Sequence, residues 1–168
     1  LILWTIGQTG VDGARYKALE FDGETIEDLS VEGRMTMANM AIEAGGKAGL
    51  FAVDAKTLAY TKAAGRANDK PLAADSGAVY EQHLTLNVSG MEPLVACPHQ
   101  PENVKPVSEV KNVPVNQVIL GSCTNGRIED LRAASEILKG KKFAPEAATM
   151  VVPGSGLVRA QAEEEGMG

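Results

Sequence analysis

The sequence predicts an α/β fold, layered, with a mainly parallel sheet and flanking helices. Three stretches carry that prediction, each running from a short apolar segment through a turn into a helical pattern. Val118-Ile119-Leu120 leads through Gly121-Ser122-Cys123-Thr124-Asn125 into a helix over Ile128 to Lys139. Ala48 to Val53 leads through Asp54 into a helix ending near Ala63. Thr149 to Val152 leads through Pro153-Gly154-Ser155-Gly156 into a helix from Leu157 to Glu165. Short apolar runs of this kind suit strands covered on both faces, and strand–helix alternation marks a parallel α/β arrangement.

The remaining elements follow in order. Leu1 to Thr9 reads as a helix stopped at Gly10, with a turn at Val11-Asp12-Gly13. Tyr16 to Phe21 reads as a strand, and Asp22-Gly23 as the next turn. Ser30 to Glu43 reads as a helix with Ser30 as its N-cap. Its apolar stripe is Val31, Met35, Ala38 and Ile42, at spacings of four, three and four. Asn39 and Glu43 are four apart and stack at the border of that stripe. Gly45-Gly46 closes the helix. Gly65 to Ala78 is a polar, turn-rich surface loop. His83 to Val88 alternates Leu84, Leu86 and Val88 with polar residues, the pattern of a half-buried strand, and Leu94 to Ala96 is a further short strand. Two prolines exclude regular helix from Cys97 to Asn103, and 97–116 stays irregular apart from one helical turn at Ser108 to Val110. In the helix after Cys123, Ile128, Leu131, Ser135 and Leu138 share a side, and Glu129 and Asp130 occupy the first turn, where the macrodipole favours them. Ser122, Thr124 and Asn125 can each satisfy a free amide at its start, and Gly140 stops it.

The 168 residues suffice for one sizeable core, and 1–168 reads as a single α/β unit. Aromatic residues are only 4%, so that core relies on Val, Ile, Leu, Ala and Met. The net charge is −6 and no Lys/Arg cluster runs along a face, so no nucleic-acid partner is expected. Two cysteines make no disulfide scaffold and point to a reduced, cytoplasmic setting. No apolar run approaches the roughly 18 residues of a membrane span. The chain starts without methionine inside a helical pattern and stops just after another, so it reads as an excerpt of a longer protein.

Cys123 sits where a strand's carboxyl end meets a helix start, where amide donors stabilise a thiolate or an anionic sulfur cluster. It reads either as a small buried hydrophobe or as a nucleophile or metal ligand. A nucleophile needs a base, and the histidines are His83 and His99; a metal site needs three or four ligands, and Cys97, His83 and His99 match no zinc spacing. Asn39 and Glu43 read either as the polar edge of an amphipathic helix or as an amide and a carboxylate aimed into a site. Pro153-Gly154-Ser155-Gly156 lacks the Gly-Lys-Ser/Thr ending of a P-loop and the third glycine of the dinucleotide fingerprint, so it reads as a plain strand–helix turn. Cys97-Pro98-His99 reads as a structural turn.

Four segments together resemble the aconitase superfamily, within it the large subunits of 3-isopropylmalate dehydratase and homoaconitase. They are Ile6-Gly7-Gln8-Thr9-Gly10-Val11-Asp12-Gly13-Ala14, Arg34-Met35-Thr36-Met37-Ala38-Asn39-Met40-Ala41-Ile42-Glu43-Ala44-Gly45, Cys97-Pro98-His99-Gln100-Pro101-Glu102-Asn103-Val104, and Ile119-Leu120-Gly121-Ser122-Cys123-Thr124-Asn125-Gly126-Arg127-Ile128-Glu129-Asp130-Leu131. They occur in the family's order and span almost the whole chain. The resemblance implies part of an iron–sulfur α/β domain and a hydro-lyase that interconverts 2-hydroxy and 3-hydroxy acids. Isopropylmalate, in leucine synthesis, is the first substrate it suggests, and homocitrate or homoaconitate the next. It makes Cys123 one of three ligands of a [4Fe–4S] cluster. The other two, a C-x-x-C pair, are absent from this sequence. It makes Asn39 and Glu43 catalytic residues lining the active site, and it implies a small, swivelling subunit or domain as partner. The family's Asp/His and serine/arginine residues fall outside this chain, and Cys97 matches no cluster position. From this, Cys123 and the Asn39/Glu43 face are expected at one cleft, and the 168 residues alone are expected neither to hold an intact cluster nor to turn over. The rivals are a cluster-free scaffold or RNA-binding relative, which the acidic balance disfavours, and a thiol enzyme using Cys123, which lacks a base.

Overall fold

A computed structural model describes residues 1–66, 70–122 and 124–167. The chain divides into two compact units, Leu1–Lys111 and Asn112–Gly168, and the division falls inside the 97–116 stretch. The architecture is α/β, with parallel strand pairs followed by helices in each unit, as the sequence predicts.

The first unit runs α1 (Ile2–Thr9), β1 (Ala18–Phe21), α2 (Glu24–Asp28), α3 (Val31–Met40), a 3₁₀ turn (Ala41–Ala44), β2 (Ala48–Phe51), α4 (Ala55–Ala63), β3 (Leu94–Ala96), β4 (Val104–Pro106) and a second 3₁₀ turn (Val107–Glu109). Strands β1 and β2 pair in parallel, from Ala18 opposite Ala48 to Phe21 opposite Phe51, and the two phenyl rings stack with centroids 5.1 Å apart. Helices α2 and α3 make the crossover that parallel pairing requires. Ile2, Ile6, Ala14, Met37 and Ala44 form the buried core, with Leu19, Phe21, Leu29 and Phe51 packed around it.

Helix α3 differs from the periodicity in a specific way. Its N-cap is Ser30 as expected, accepting from Gly33 N at 2.9 Å. The buried side is Arg34, Met37, Ala41 and Ala44, while Ile42 is 64% exposed. Two causes combine. Arg34 is held inside by Asp54 (2.6 Å) and by the carbonyl of Glu27 (3.0 Å), which turns its side of the helix inward. Past Met40 the chain also tightens to 3₁₀ geometry, with about three residues per turn, so the 3.6-residue stripe no longer applies. Small alanines on the buried side let neighbouring backbone come close.

Other expectations shift for equally local reasons. The first strand begins at Ala18, because Tyr16 has φ +62° and so belongs to the preceding turn. Helix α2 has no buried residue, so it carries no apolar period to read. His83 to Val88 forms no strand; Leu86 and Val88 are half-buried, but Leu84 is 56% exposed and the segment has no ladder among the described residues. Strand β4, inside the stretch read as irregular, pairs antiparallel with β3 and places Pro106 opposite Leu94 at its last position.

The second unit runs β5 (Gln117–Leu120), α5 (Ile128–Leu138), β6 (Ala148–Val151) and α6 (Gly156–Glu164). Strands β5 and β6 pair in parallel, from Gln117 opposite Ala148 to Leu120 opposite Val151. Leu131 and Ala162 are buried, and Arg132 forms a two-pronged ion pair with Glu165 (2.7 and 2.5 Å) that ties α5 to the end of α6. The strands are not covered on both faces as the sequence predicts. Ile119 is 58% and Met150 52% exposed, because two helices within the unit cannot cover both sides of the pair. In β2 likewise, Leu50 is half exposed.

The Arg34–Asp54 pair is the one buried charge contact in the first unit's described core. The guanidinium hydrogen bond and the Thr57 amide hold the Asp54 carboxyl well below the usual carboxylate range. A depressed folded-state pKa contributes stability that is present above the unfolded pKa and lost as pH falls through the folded value. Asp54→Asn is therefore expected to unfold more readily at neutral pH, by about 1–3 kcal/mol given the partial exposure of Asp54. The difference should shrink on acidification below the usual carboxylate range, as followed by urea denaturation at a series of pH values. A gap that stays constant down to strong acid would contradict this.

Candidate functional site

Three of the four family-like segments meet within the first unit. Ala14 N donates to Ala44 O (2.8 Å) and Tyr16 N to Gly45 O (3.3 Å), which joins 6–14 to the end of 34–45. Glu102 accepts from Val11 N at 2.7 Å, which joins 97–104 to the same turn. The 97–103 loop is itself braced, with Cys97 N donating to Asn103 O (2.7 Å) and Asn103 Nδ2 to Pro98 O (2.7 Å). An open cleft of about 570 Å³ lies beside it, lined by Gly7, His99, Gln100, Glu102 and Asn103. Cys97 is a free, half-buried thiol in that loop, and the chain turns at Pro98-His99. The sequence reading did not single out Glu102 as a tie to the Gly10-Val11 turn. A carboxylate between two prolines and an asparagine gives no periodic signal, and its partner lies 91 residues away.

Asn39 is in the last turn of α3 and Glu43 in the 3₁₀ turn that follows, and both are exposed. They lie away from the Arg34–Met37–Ala41–Ala44 side. This corrects the expectation that they border the buried stripe, because that stripe is turned by Arg34 and by the change of helix type. Their side chains are thus presented at the surface of the first unit. His83 is also exposed, with its ring edge-on to Tyr80 at 5.0 Å. Tyr80 donates to Glu20 (2.5 Å), and that bond raises the phenol above its ordinary pKa.

Cys123 lies outside the described residues; the backbone on either side of it is described. Gly121 leaves β5 with φ +110°. Ser122 Oγ accepts from the amides of Thr124 and Asn125, both at 3.1 Å. Asp130 reaches back from the first turn of α5 to accept from Arg127 N (3.0 Å) and from Asn125 Nδ2 (3.4 Å). Ser122, one of the three residues expected to satisfy amides, does so within the turn, and Asp130 caps the helix start. Beside this turn runs the one after β6, where Gly154 N donates to Gly126 O at 2.6 Å. Ser155 caps α6 through Val158 N (3.2 Å). Among the described residues no group of three or more His, Cys, Asp or Glu side chains could hold a metal ion.

The geometry can be set beside known proteins. The aconitase family (aconitate hydratase) matches residues 1–113 and 105–168, two overlapping parts that meet at the boundary between the units. A protein of Nitratidesulfovibrio vulgaris (Miyazaki F) named 3-isopropylmalate dehydratase large subunit is 66% identical over 167 residues, covering 99% of this chain and 40% of that protein. Proteins of the same name from Elusimicrobium minutum and Moorella thermoacetica are 53% and 52% identical, with the same coverage. The chain spans about two fifths of the length of the curated relatives it matches. With both units matched and the four motif segments in order, the chain belongs to the aconitase family.

Proposed function

We propose that this chain serves as part of the large subunit of an iron–sulfur hydro-lyase, with 3-isopropylmalate as the substrate. The observation that carries this reading is the 66% identity, along 99% of the chain, to a protein named for that activity. The setting is cytoplasmic, and the partner is a small subunit or swivelling domain that brings the residues gripping the substrate carboxylates.

Cys123 is one of three thiolate ligands of a [4Fe–4S] cluster, and the other two come from outside these 168 residues. The turn around it suits one such ligand. A cysteine is a soft donor, and the described backbone that follows position 123 is held by Ser122 and Asp130. When bound, the cluster supplies a Lewis acid for the substrate hydroxyl and carboxylate. The chain's own residues do the rest. The exposed Glu43 carboxylate accepts a hydrogen bond from the departing hydroxyl or water, and the Asn39 amide orients a substrate carboxylate. This requires Cys123 and the Asn39/Glu43 face to share a cleft in the assembled enzyme.

The reading is tested on the family-length large subunit with its small-subunit partner, reconstituted with iron and sulfide under argon. Turnover is compared on 3-isopropylmalate, homocitrate, citrate and dimethylmalate. The highest kcat/KM is expected for 3-isopropylmalate; a preference for homocitrate would make it a homoaconitase, and an intact cluster with no turnover on any would contradict the reading. Glu43→Gln and Asn39→Ala are expected to lower kcat by about 10²–10⁴-fold while iron content stays at the wild-type level. Unchanged kcat would remove both from the site. Cys123→Ser is expected to lose the visible iron–sulfur absorption, whereas Cys97→Ser keeps it.

A further inference from the structure

Pro153-Gly154-Ser155-Gly156 reads in the sequence as a plain connection. The geometry gives it a second task. Parallel pairing of Leu120 with Val151 sends both strands' carboxyl ends to the same sheet edge, so the turns after β5 and β6 lie side by side. They are closer than side chains allow. A Cβ on Gly126 would stand 2.8 Å from Gly154 N and 2.9 Å from the carbonyl oxygens of Ser122 and Val152. A Cβ on Gly154 would stand 3.0 Å from Gly126 O and 3.3 Å from its carbon. Between them runs the Gly154 N to Gly126 O hydrogen bond of 2.6 Å, and Val152 N donates to Leu120 O at 2.8 Å just before it. The second turn thus grips the first at both ends of the segment that contains position 123.

We infer that the turn after β6 is a second wall of the turn that contains position 123, and that Gly154 and Gly126 are positioning residues for the backbone on either side of that position. The inference rests on the reading of Cys123 as a cluster ligand. The grip is backbone to backbone. Contacts to Gly126 are all main-chain atoms, which cannot swing aside as a long side chain would. Gly154 is the gentler lever. An added methyl there meets the Gly126 carbonyl at a distance that a shift of a few tenths of an ångström relieves, and that shift moves the cysteine turn while β5 and β6 stay paired. Gly156, two residues on, provides the control, because a Cβ there has nothing within 4 Å.

The test compares Gly154→Ala, Gly126→Ala and Gly156→Ala in the family-length large subunit, all in a Cys97→Ser background. Cluster retention against a chelator, the electron paramagnetic resonance line shape of the reduced cluster, and thermal melting are measured together. Gly154→Ala is expected to lose its cluster about 10–100-fold faster, the effect typical of a residue behind a metal ligand, with an altered line shape and an unchanged melting temperature. Gly126→Ala should be at least as impaired, and Gly156→Ala should match the parent. Equal retention and line shape in Gly154→Ala and the parent would overturn the inference, as would cluster loss matched by an equal fall in melting temperature. If the parent itself takes up no cluster, the proposed function fails instead, and the alkylation rate of Cys123 decides the inference. A rate changed in Gly154→Ala but not in Gly156→Ala upholds it, and equal rates overturn it.

Discussion

The parallel register of β5 and β6 is the constraint on which the second unit depends. Once Leu120 lies opposite Val151, both chains must leave the sheet at the same edge and both must turn into helices there. At the point of contact a Cβ on Gly126 would meet main-chain atoms at 2.8–2.9 Å and one on Gly154 would force a smaller shift, a crowding that follows from the register rather than from either turn alone. The carboxyl edge of parallel strands is where α/β proteins place ligands, since amides and helix starts converge there. In this chain Ser122 takes up the amides of Thr124 and Asn125, and Asp130 that of Arg127. Their effect is to fix the turn.

The first unit is built around a different device. Burying Arg34 costs desolvation that Asp54, Thr57 and the Glu27 carbonyl offset, and in doing so it joins α3 to the start of α4. That choice sets which side of α3 faces inward and leaves Asn39 and Glu43 outward. The same helix end then meets the Ala14–Tyr16 turn, which in turn is tied through Val11 to Glu102. Three segments far apart in sequence are thereby assembled by main-chain hydrogen bonds and the Glu102 carboxylate. Backbone contacts thus fix this helix end on its buried side, and Asn39 and Glu43 stay exposed on the other.

Much of this was legible in the sequence. The strand–turn–helix pattern of 118–139 and the caps at Ser30 and Asp54 follow from apolar runs and short polar side chains, which act locally, whereas the Ser155 cap emerged only with the structure. The two parallel pairs fit the alternation. Illegible were features that depend on distant partners. The buried face of α3 is set by Asp54, strand β4 exists because β3 lies beside it, and the Leu84–Val88 alternation found no ladder to join. The glycine contact at 126 and 154 was equally hidden, since a turn's sequence does not say which other turn will lie against it. Of the candidate site residues, Asn39 lies in the helix expected and Glu43 in the 3₁₀ turn that follows it, both on a face that periodicity alone placed differently.

We propose that Cys123 ligates iron and that Asn39 and Glu43 contact the substrate. Iron-edge anomalous diffraction from crystals of the reconstituted family-length enzyme with bound substrate tests it directly. The account predicts an iron peak within bonding distance of Cys123 Sγ, with the Glu43 carboxylate and the Asn39 amide contacting the substrate beside it. Iron bound elsewhere with Cys123 unligated, or Glu43 turned away from the iron and the substrate, would contradict it.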